Sequence, residues 1–170
     1  MTSDIFINHF NETISEEGKK ILIDFFVTFS RFECALKSTI EFASVNNQKV
    51  SPNWDLFIIS IRDIFNSEKT QDLNEATNFI LNFSPRVQTL NNNNLEWIER
   101  EFSPNTSDIN KLNLHIRDVR NNLFHGGKFN GNYQQDVSRN YRLIKSSLII
   151  LNEWLELNED VQTNFLKEII

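Results

Sequence analysis

Apolar residues recur every three or four positions over most of the chain, which is the spacing of an amphipathic helix. The longest such run follows Ser15, a helix-capping residue, and predicts a helix that continues to about Ser44. A second well-bounded helix is predicted between Ser107-Asp108 and Gly126, which are typical start and stop signals. The remaining helices are predicted over residues 4–13, 54–65, 73–83 and 137–155, with a short terminal one ending at Ile170.

The less regular segments are predicted as loops. The polar run 45–53 ends the long helix, and Ser51-Pro52 within it is expected to start the next one. Between Arg86 and Pro104, four consecutive asparagines predict a loop followed by one short helix. With no convincing strand and only 4 Gly and 3 Pro for turns, the prediction is an all-α helical bundle forming a single domain over residues 1–170.

Composition supports a folded domain and excludes several other classes of protein. A chain of 170 residues buries about 70% of the surface exposed by its unfolded form, and 15 Phe with 3 Trp supply the apolar area that disordered chains lack. The lone Cys34 excludes an internal disulfide framework and favours a reducing compartment. No signal-peptide pattern opens the sequence and no apolar stretch is long enough for a bilayer, so we expect a cytoplasmic protein without a membrane partner.

Charge is distributed unevenly along the chain. The net charge is −6, but residues 107–145 carry seven basic side chains against three acidic ones, a balance of +4 that leaves −10 elsewhere. A local basic face attracts phosphates even on an acidic protein, because charges more than about 10 Å apart are largely screened. The alternative is a solvated helix surface on which the charges fall at random.

The candidate chemistry lies at the end of the helix in this basic window. Arg120 and Asn121 are followed by His125, which stands just before Gly126-Gly127. A guanidinium offers a fixed charge and paired donors to a phosphate, and an imidazole exchanges a proton near neutral pH. Five residues along an ideal helix correspond to roughly 500°, so Arg120 and His125 would point about 140° apart. They converge if the helix loosens, if the arginine wraps round, or if two subunits share one site, which we favour together with some loosening.

The segment Arg120-Asn121-Asn122-Leu123-Phe124-His125 resembles the R-N-x-x-x-H motif of HEPN domains, all-α bundles found in RNA-cleaving toxins and phage-defence proteins. An early helix at 29–37 and the long final helix also resemble those of some bacterial members, so the likeness extends over about residues 15–157. Its specificity rests on the six-residue motif. HEPN proteins restrained by a nucleotidyltransferase partner often carry a tyrosine two residues after the histidine, where this chain has Gly127.

The resemblance implies a metal-independent endoribonuclease that needs no cofactor and acts as a homodimer. His125 would serve as general acid or base, Arg120 would stabilise the transition state, and Asn121 would orient one of them. Attack by a ribose 2′-hydroxyl would make RNA the substrate. Flanking phosphates would be bound by four basic residues, namely Arg117, Lys128, Arg139 and Arg142. An antitoxin or another component of a defence complex would be a further partner.

Structural roles remain open for each of these residues. Arg120 could pair with Glu33 or Asp118 inside the bundle, and His125 could cap its helix. Glu33 either forms a surface ion pair with Lys37 or supports the motif by contacting one of its residues, and His115 is expected at the surface. No phosphate-binding glycine loop, zinc-binding cluster or other catalytic signature occurs, so no metal is predicted. The alternative functions are a non-catalytic HEPN-like module that binds RNA, nucleotides or another protein, such as a sensor or antitoxin, and a plain helical bundle that matches the motif by chance.

Overall fold

A computed structural model describes residues 1–124 and 137–167, and this part of the chain is mostly helical. Its helices are α1 (Thr2–Thr13), α2 (Glu16–Ser38), α3 (Trp54–Ile61), α4 (Gln71–Asn82), α5 (Asp108–Phe124), α6 (Val137–Glu156) and α7 (Glu159–Leu166). Its strands are β1 (Ala43–Asn46), β2 (Lys49–Pro52), β3 (Val87–Asn91) and β4 (Asn94–Ile98). The helical prediction is confirmed in outline, but the fold is not purely all-α.

Two antiparallel hairpins, β1–β2 and β3–β4, replace the predicted loops. The short helix expected between Arg86 and Pro104 is wrong, because β4 occupies its place. Each hairpin turns on two residues in the left-handed region, Asn47-Gln48 in the first and Asn92-Asn93 in the second, with φ values of 48° and 64°. A two-residue turn with positive φ at both positions matches the twist of paired strands, and asparagine tolerates that backbone better than most residues.

Side-chain caps fix the starts of several helices. The Ser15 hydroxyl accepts a hydrogen bond of 3.1 Å from the Gly18 amide, as predicted for the start of α2. The predicted start of α3 at Ser51-Pro52 is wrong, because both residues belong to β2 and Asn53 caps the helix instead. The helix α2 also ends earlier than predicted, at Ser38, where the chain enters a 3₁₀ turn over Ile40–Phe42. Ile40, which continues the apolar spacing of α2 in the sequence, therefore lies beyond the helix and is exposed.

The core joins α2 through α7 in one apolar cluster. Phe32 of α2 stacks on Trp54 at 5.0 Å between ring centroids and meets the edge of Phe57 at 5.2 Å. The predicted inner face of α5 is confirmed, with four of its residues buried and Leu123 partly so. These four are Ile109, Leu112, Ile116 and Val119. Removing such side chains from water provides much of the stabilisation of a helical fold.

The packing places α5 against three other helices and the second hairpin. The helix α2 packs against α6 and α7, while α5 packs against α3, α4, α6 and β3. Arg31 of α2 donates to the carbonyls of Asn164, Phe165 and Lys167, which fastens the end of α7. In the part of the chain that the structure describes, no helix is both long and apolar enough to cross a membrane.

Candidate functional site

Arg120 lies near the end of α5 and contacts α2. Its guanidinium donates a hydrogen bond of 3.0 Å to the Asn121 side-chain oxygen. A second guanidinium nitrogen lies 3.8 Å from a Glu33 carboxylate oxygen, and its central carbon is 5.7 Å from the centre of the Phe29 ring. The side chain is still 33% exposed. Arg120 is thus oriented by a carboxylate, an amide and an aromatic ring while its charge remains accessible to solvent.

Glu33 joins three helices at this point. Besides contacting Arg120, its carboxylate accepts a hydrogen bond of 3.5 Å from the Trp54 indole at the start of α3. The side chain is 26% exposed, so the ion pair with Arg120 is partly shielded from water. Arg120, a residue of the motif, therefore lies within ion-pair distance of Glu33. Asp118, the other carboxylate considered for Arg120, pairs with Arg100 instead.

The residues predicted to bind flanking phosphates lie at different places in the fold. Arg139, at the start of α6, donates to the carbonyls of Phe83 and Ser84 beyond the end of α4. One turn further along α6, the exposed Arg142 lies over the Phe79 ring at 3.9 Å. Arg117 is half-buried one turn before Arg120 on α5. Both His125 and Lys128 lie outside the described residues.

The segment 83–86 connects Arg139 with the end of α5. The Asn122 side chain donates a hydrogen bond of 2.8 Å to the Arg86 carbonyl, three residues beyond Phe83. The start of α6 and the motif-bearing end of α5 therefore meet at the same side of the bundle. Arg139 and Asn122 thus contact the same connecting segment, whereas Arg142 lies along α4.

A buried polar stripe on α5 was not predicted from the sequence. His115, Asp118 and Asn122 follow one another at spacings of three and four residues and are all buried. Arg100, just after β4, makes two hydrogen bonds to the Asp118 carboxylate, of 2.7 and 2.6 Å. The spacing of these three polar residues indicates a second face of α5 that packs against other segments. The sequence does not identify Arg100 as the partner of Asp118, because Arg100 reaches α5 only through the packing of the second hairpin.

The prediction that His115 lies at the surface is wrong. Its residue exposure is 3%, and its ring meets the edge of Phe102 at 5.1 Å. Burial lowers the pKa of His115 from 6.5 to about 4; Asp118 opposes this shift, and Arg100 and Lys111 add to it. The imidazole is therefore neutral at pH 7. The segment after β4 covers this face of α5, which explains why a residue on a polar flank becomes buried.

A pocket of about 340 Å³ opens between the second hairpin and α5. Its walls include Gln88 and Trp97 from the hairpin, the Arg100–Asp118 pair, and Asn121 and Asn122 from α5. Asn121 thus belongs both to this pocket and to the surroundings of Arg120. No pattern along the chain indicates a pocket here, since the pocket forms only when β3 and β4 pair beside α5.

Among the described residues, no three His, Cys, Asp or Glu side chains are grouped closely enough to hold a metal ion. Comparison of the chain with protein-family models, curated proteins and solved structures finds no match. The features that bear on function are therefore the arrangement around Arg120 and the motif in the sequence.

Proposed function

We propose that the chain is a metal-independent endoribonuclease of the HEPN type that acts in the cytoplasm, in a toxin-like or phage-defence role. The observation that carries this proposal is the orientation of Arg120 by Glu33 and Asn121, five residues before His125 in the motif. An oriented, solvent-accessible guanidinium suits the charge that develops on a phosphate during transfer. The surrounding sequence window is basic, although the chain as a whole is acidic.

The proposed reaction is transfer of a phosphate within the RNA strand. The ribose 2′-oxygen bonds to the adjacent phosphorus while the bond from phosphorus to the 5′-oxygen breaks. One group accepts the 2′ proton and another donates a proton to the 5′-oxygen, leaving a 2′,3′-cyclic phosphate and a 5′-hydroxyl. His125 takes one of these roles and its copy in a second subunit takes the other, while Arg120 stabilises the charged phosphate.

A homodimer is part of the proposal. The exposed apolar residues Ile23, Phe26 and Val27 lie on one side of α2, and Glu33 follows Phe26 by seven residues on the same helix. An apolar stripe of this kind is typical of a protein contact surface. Because Glu33 contacts Arg120, a second copy packed there would bring a second Arg120 close to the first.

Growth of an expressing culture provides a first test. Wild-type protein should arrest growth, whereas Arg120→Ala and His125→Ala should not. His9→Ala changes an exposed histidine on α1 and should be as toxic as wild type. If all three variants arrest growth equally, toxicity does not come from the motif and the nuclease proposal fails. A non-catalytic RNA- or nucleotide-binding module would then be favoured by the pocket beside Asn121.

A further inference from the structure

The pocket between the second hairpin and α5 has features that select for a particular kind of ligand. Its volume of about 340 Å³ lies at the small end of the range for ligand sites, roughly 300–1,000 Å³. The guanidinium of Arg100, which lines the pocket, already donates two hydrogen bonds to the Asp118 carboxylate. The two charges offset each other, so this pair offers little attraction to a phosphate and the pocket suits a neutral ligand.

Side-chain amides supply the polar recognition in this pocket. Asn122 is buried, and its bond to the Arg86 carbonyl fixes the orientation of its amide. The amide of Asn121 is oriented in turn by the bond from Arg120. Gln88 adds a third amide from the hairpin. Each amide presents a donor and an acceptor in one plane, which is the arrangement that pairs with the edge of a nucleobase.

Trp97 provides an aromatic surface beside these amides. It lies directly opposite Gln88 in the β3–β4 register, so the two side chains share one face of the hairpin. Trp97 is half-buried, while Trp54 and Trp154 are buried in the core at 3% and 0% exposure. An accessible indole next to hydrogen-bonding amides is typical of sites where an unpaired base stacks.

We propose that this pocket binds one base of a ribonucleotide and so selects where the RNA is cut. The inference rests on the proposed nuclease function, because Asn121 connects the pocket to Arg120. Two sources could supply the same chemistry, a base turned out of single-stranded RNA or a free nucleotide. Binding of the base alone, without its phosphate, is the property that identifies the pocket.

Tryptophan fluorescence tests base binding directly, since Trp97 is the accessible indole among the three in the chain. Wild-type protein is titrated with adenosine, cytidine, uridine, the corresponding 5′-monophosphates, and inorganic phosphate. At least one nucleoside should quench the emission saturably, and inorganic phosphate should not. Five-nucleotide RNAs distinguish the two sources, and they are added to the His125→Ala variant so that they are not cleaved. Tighter binding of the RNA than of the mononucleotide indicates an RNA strand as the ligand. Equal binding indicates a free nucleotide.

Variants of the hairpin separate the pocket from a general effect on folding. Trp97→Ala should weaken binding of a labelled RNA by about tenfold or more, because stacking on an aromatic residue is lost. Leu95→Ala removes an exposed apolar side chain from the same face of β4, outside the pocket, and should change binding by less than about twofold. Trp97→Phe keeps an aromatic ring and should restore part of the affinity.

The outcomes distinguish failure of the pocket from failure of the nuclease proposal. Saturable nucleoside binding by a protein that cuts no RNA supports the pocket and overturns the nuclease. RNA cleavage without any nucleoside binding, at sites that Trp97→Ala leaves unchanged, overturns the pocket. Quenching by phosphate alone, or equal loss of RNA binding in Trp97→Ala and Leu95→Ala, also overturns it.

Discussion

The guanidinium of Arg120 and the carboxylate of Glu33 lie 3.8 Å apart, which joins the motif-bearing end of α5 to the C-terminal half of α2. At this distance the contact acts mainly through charge, since a hydrogen bond would be shorter. The bond to Asn121 and the nearby Phe29 ring supply the directional part of the arrangement. Glu33 is therefore a positioning residue, whose effect on the chemistry runs through Arg120.

Removing the charge of Glu33 should impair RNA cleavage more than stability. We expect Glu33→Gln to lower kcat by about three- to tenfold, because Arg120 loses an orienting charge. The free energy of unfolding should fall by less than about 1 kcal/mol, because the pair is partly exposed. Initial cleavage rates and urea unfolding measure the two effects, with Glu12→Gln on α1 as an exposed control. A variant that unfolds readily yet cuts at the wild-type rate would refute the positioning role.

The apolar stripe on α2 should control the oligomeric state. Val27→Glu places a charge within the proposed dimer contact and should convert the protein to a monomer with at least about tenfold slower cleavage. Ile59→Glu makes the same change on an exposed position of α3 and should leave the dimer intact. Light scattering after gel filtration gives the mass of each variant. A wild-type protein that stays monomeric at micromolar concentration, yet cleaves RNA, would exclude a site shared between subunits.

Burial of His115 should make stability depend on pH. In the unfolded chain its pKa is near 6.5, and in the folded protein it is about 4. Between these values the unfolded chain binds a proton that the folded protein does not, so the free energy of unfolding falls as pH falls. This contribution is fully present above pH 6.5 and is lost progressively toward pH 4, by at most roughly 3 kcal/mol.

The variant His115→Phe isolates this effect. A phenyl ring retains the contact with Phe102, and within the described part of the chain no group hydrogen-bonds the buried His115 Nδ1. Urea unfolding at several pH values should show the difference between wild type and variant growing in favour of the variant as the pH falls from 6.5 to 4. Parallel pH profiles for the two proteins would show that His115 is protonated in the folded state as readily as in the unfolded state.

The ion pair between Arg100 and Asp118 should hold the second hairpin against α5. Asp118 is 5% exposed, so Asp118→Asn leaves the Arg100 charge without its carboxylate and should cost about 2 kcal/mol. Asp108→Asn breaks an exposed pair with Lys111 on the same helix and should cost less than about 0.5 kcal/mol. Thermal unfolding of both variants provides the comparison. Equal small losses would mean that the hairpin does not depend on this pair.

The helices could be predicted because their signal is local. The spacing of Ile109, Leu112 and Ile116 predicts the buried face of α5, and the serine cap at Ser15 predicts the start of α2. The hairpins are harder to predict, because their short strands are largely polar and exposed and resemble loops. Asn92-Asn93 is a typical turn pair. In the strand before it, the half-buried Val87 and Thr89 alternate with exposed residues.

The candidate site could be predicted only in part. The motif led to Arg120 and Asn121, which are neighbours on one helix, and the structure adds the contact with Glu33 from a distant part of the chain. Arg100 and Trp97 could not be identified, because their positions depend on the pairing of β3 with β4 and on the packing of that hairpin against α5. Such contacts between distant segments leave little trace in the spacing of residues along one helix.

The chemistry at Arg120 is tested most directly by the ends of the RNA fragments. Single-stranded RNA is incubated with wild-type protein in EDTA, and the fragments are analysed by mass spectrometry, with Arg120→Ala as the matched variant. We predict fragments ending in 2′,3′-cyclic phosphate and 5′-hydroxyl groups, formed at least about 100-fold more slowly by the variant. Intact RNA after incubation with folded, dimeric wild-type protein, or cleavage that Arg120→Ala performs equally well, would contradict the account.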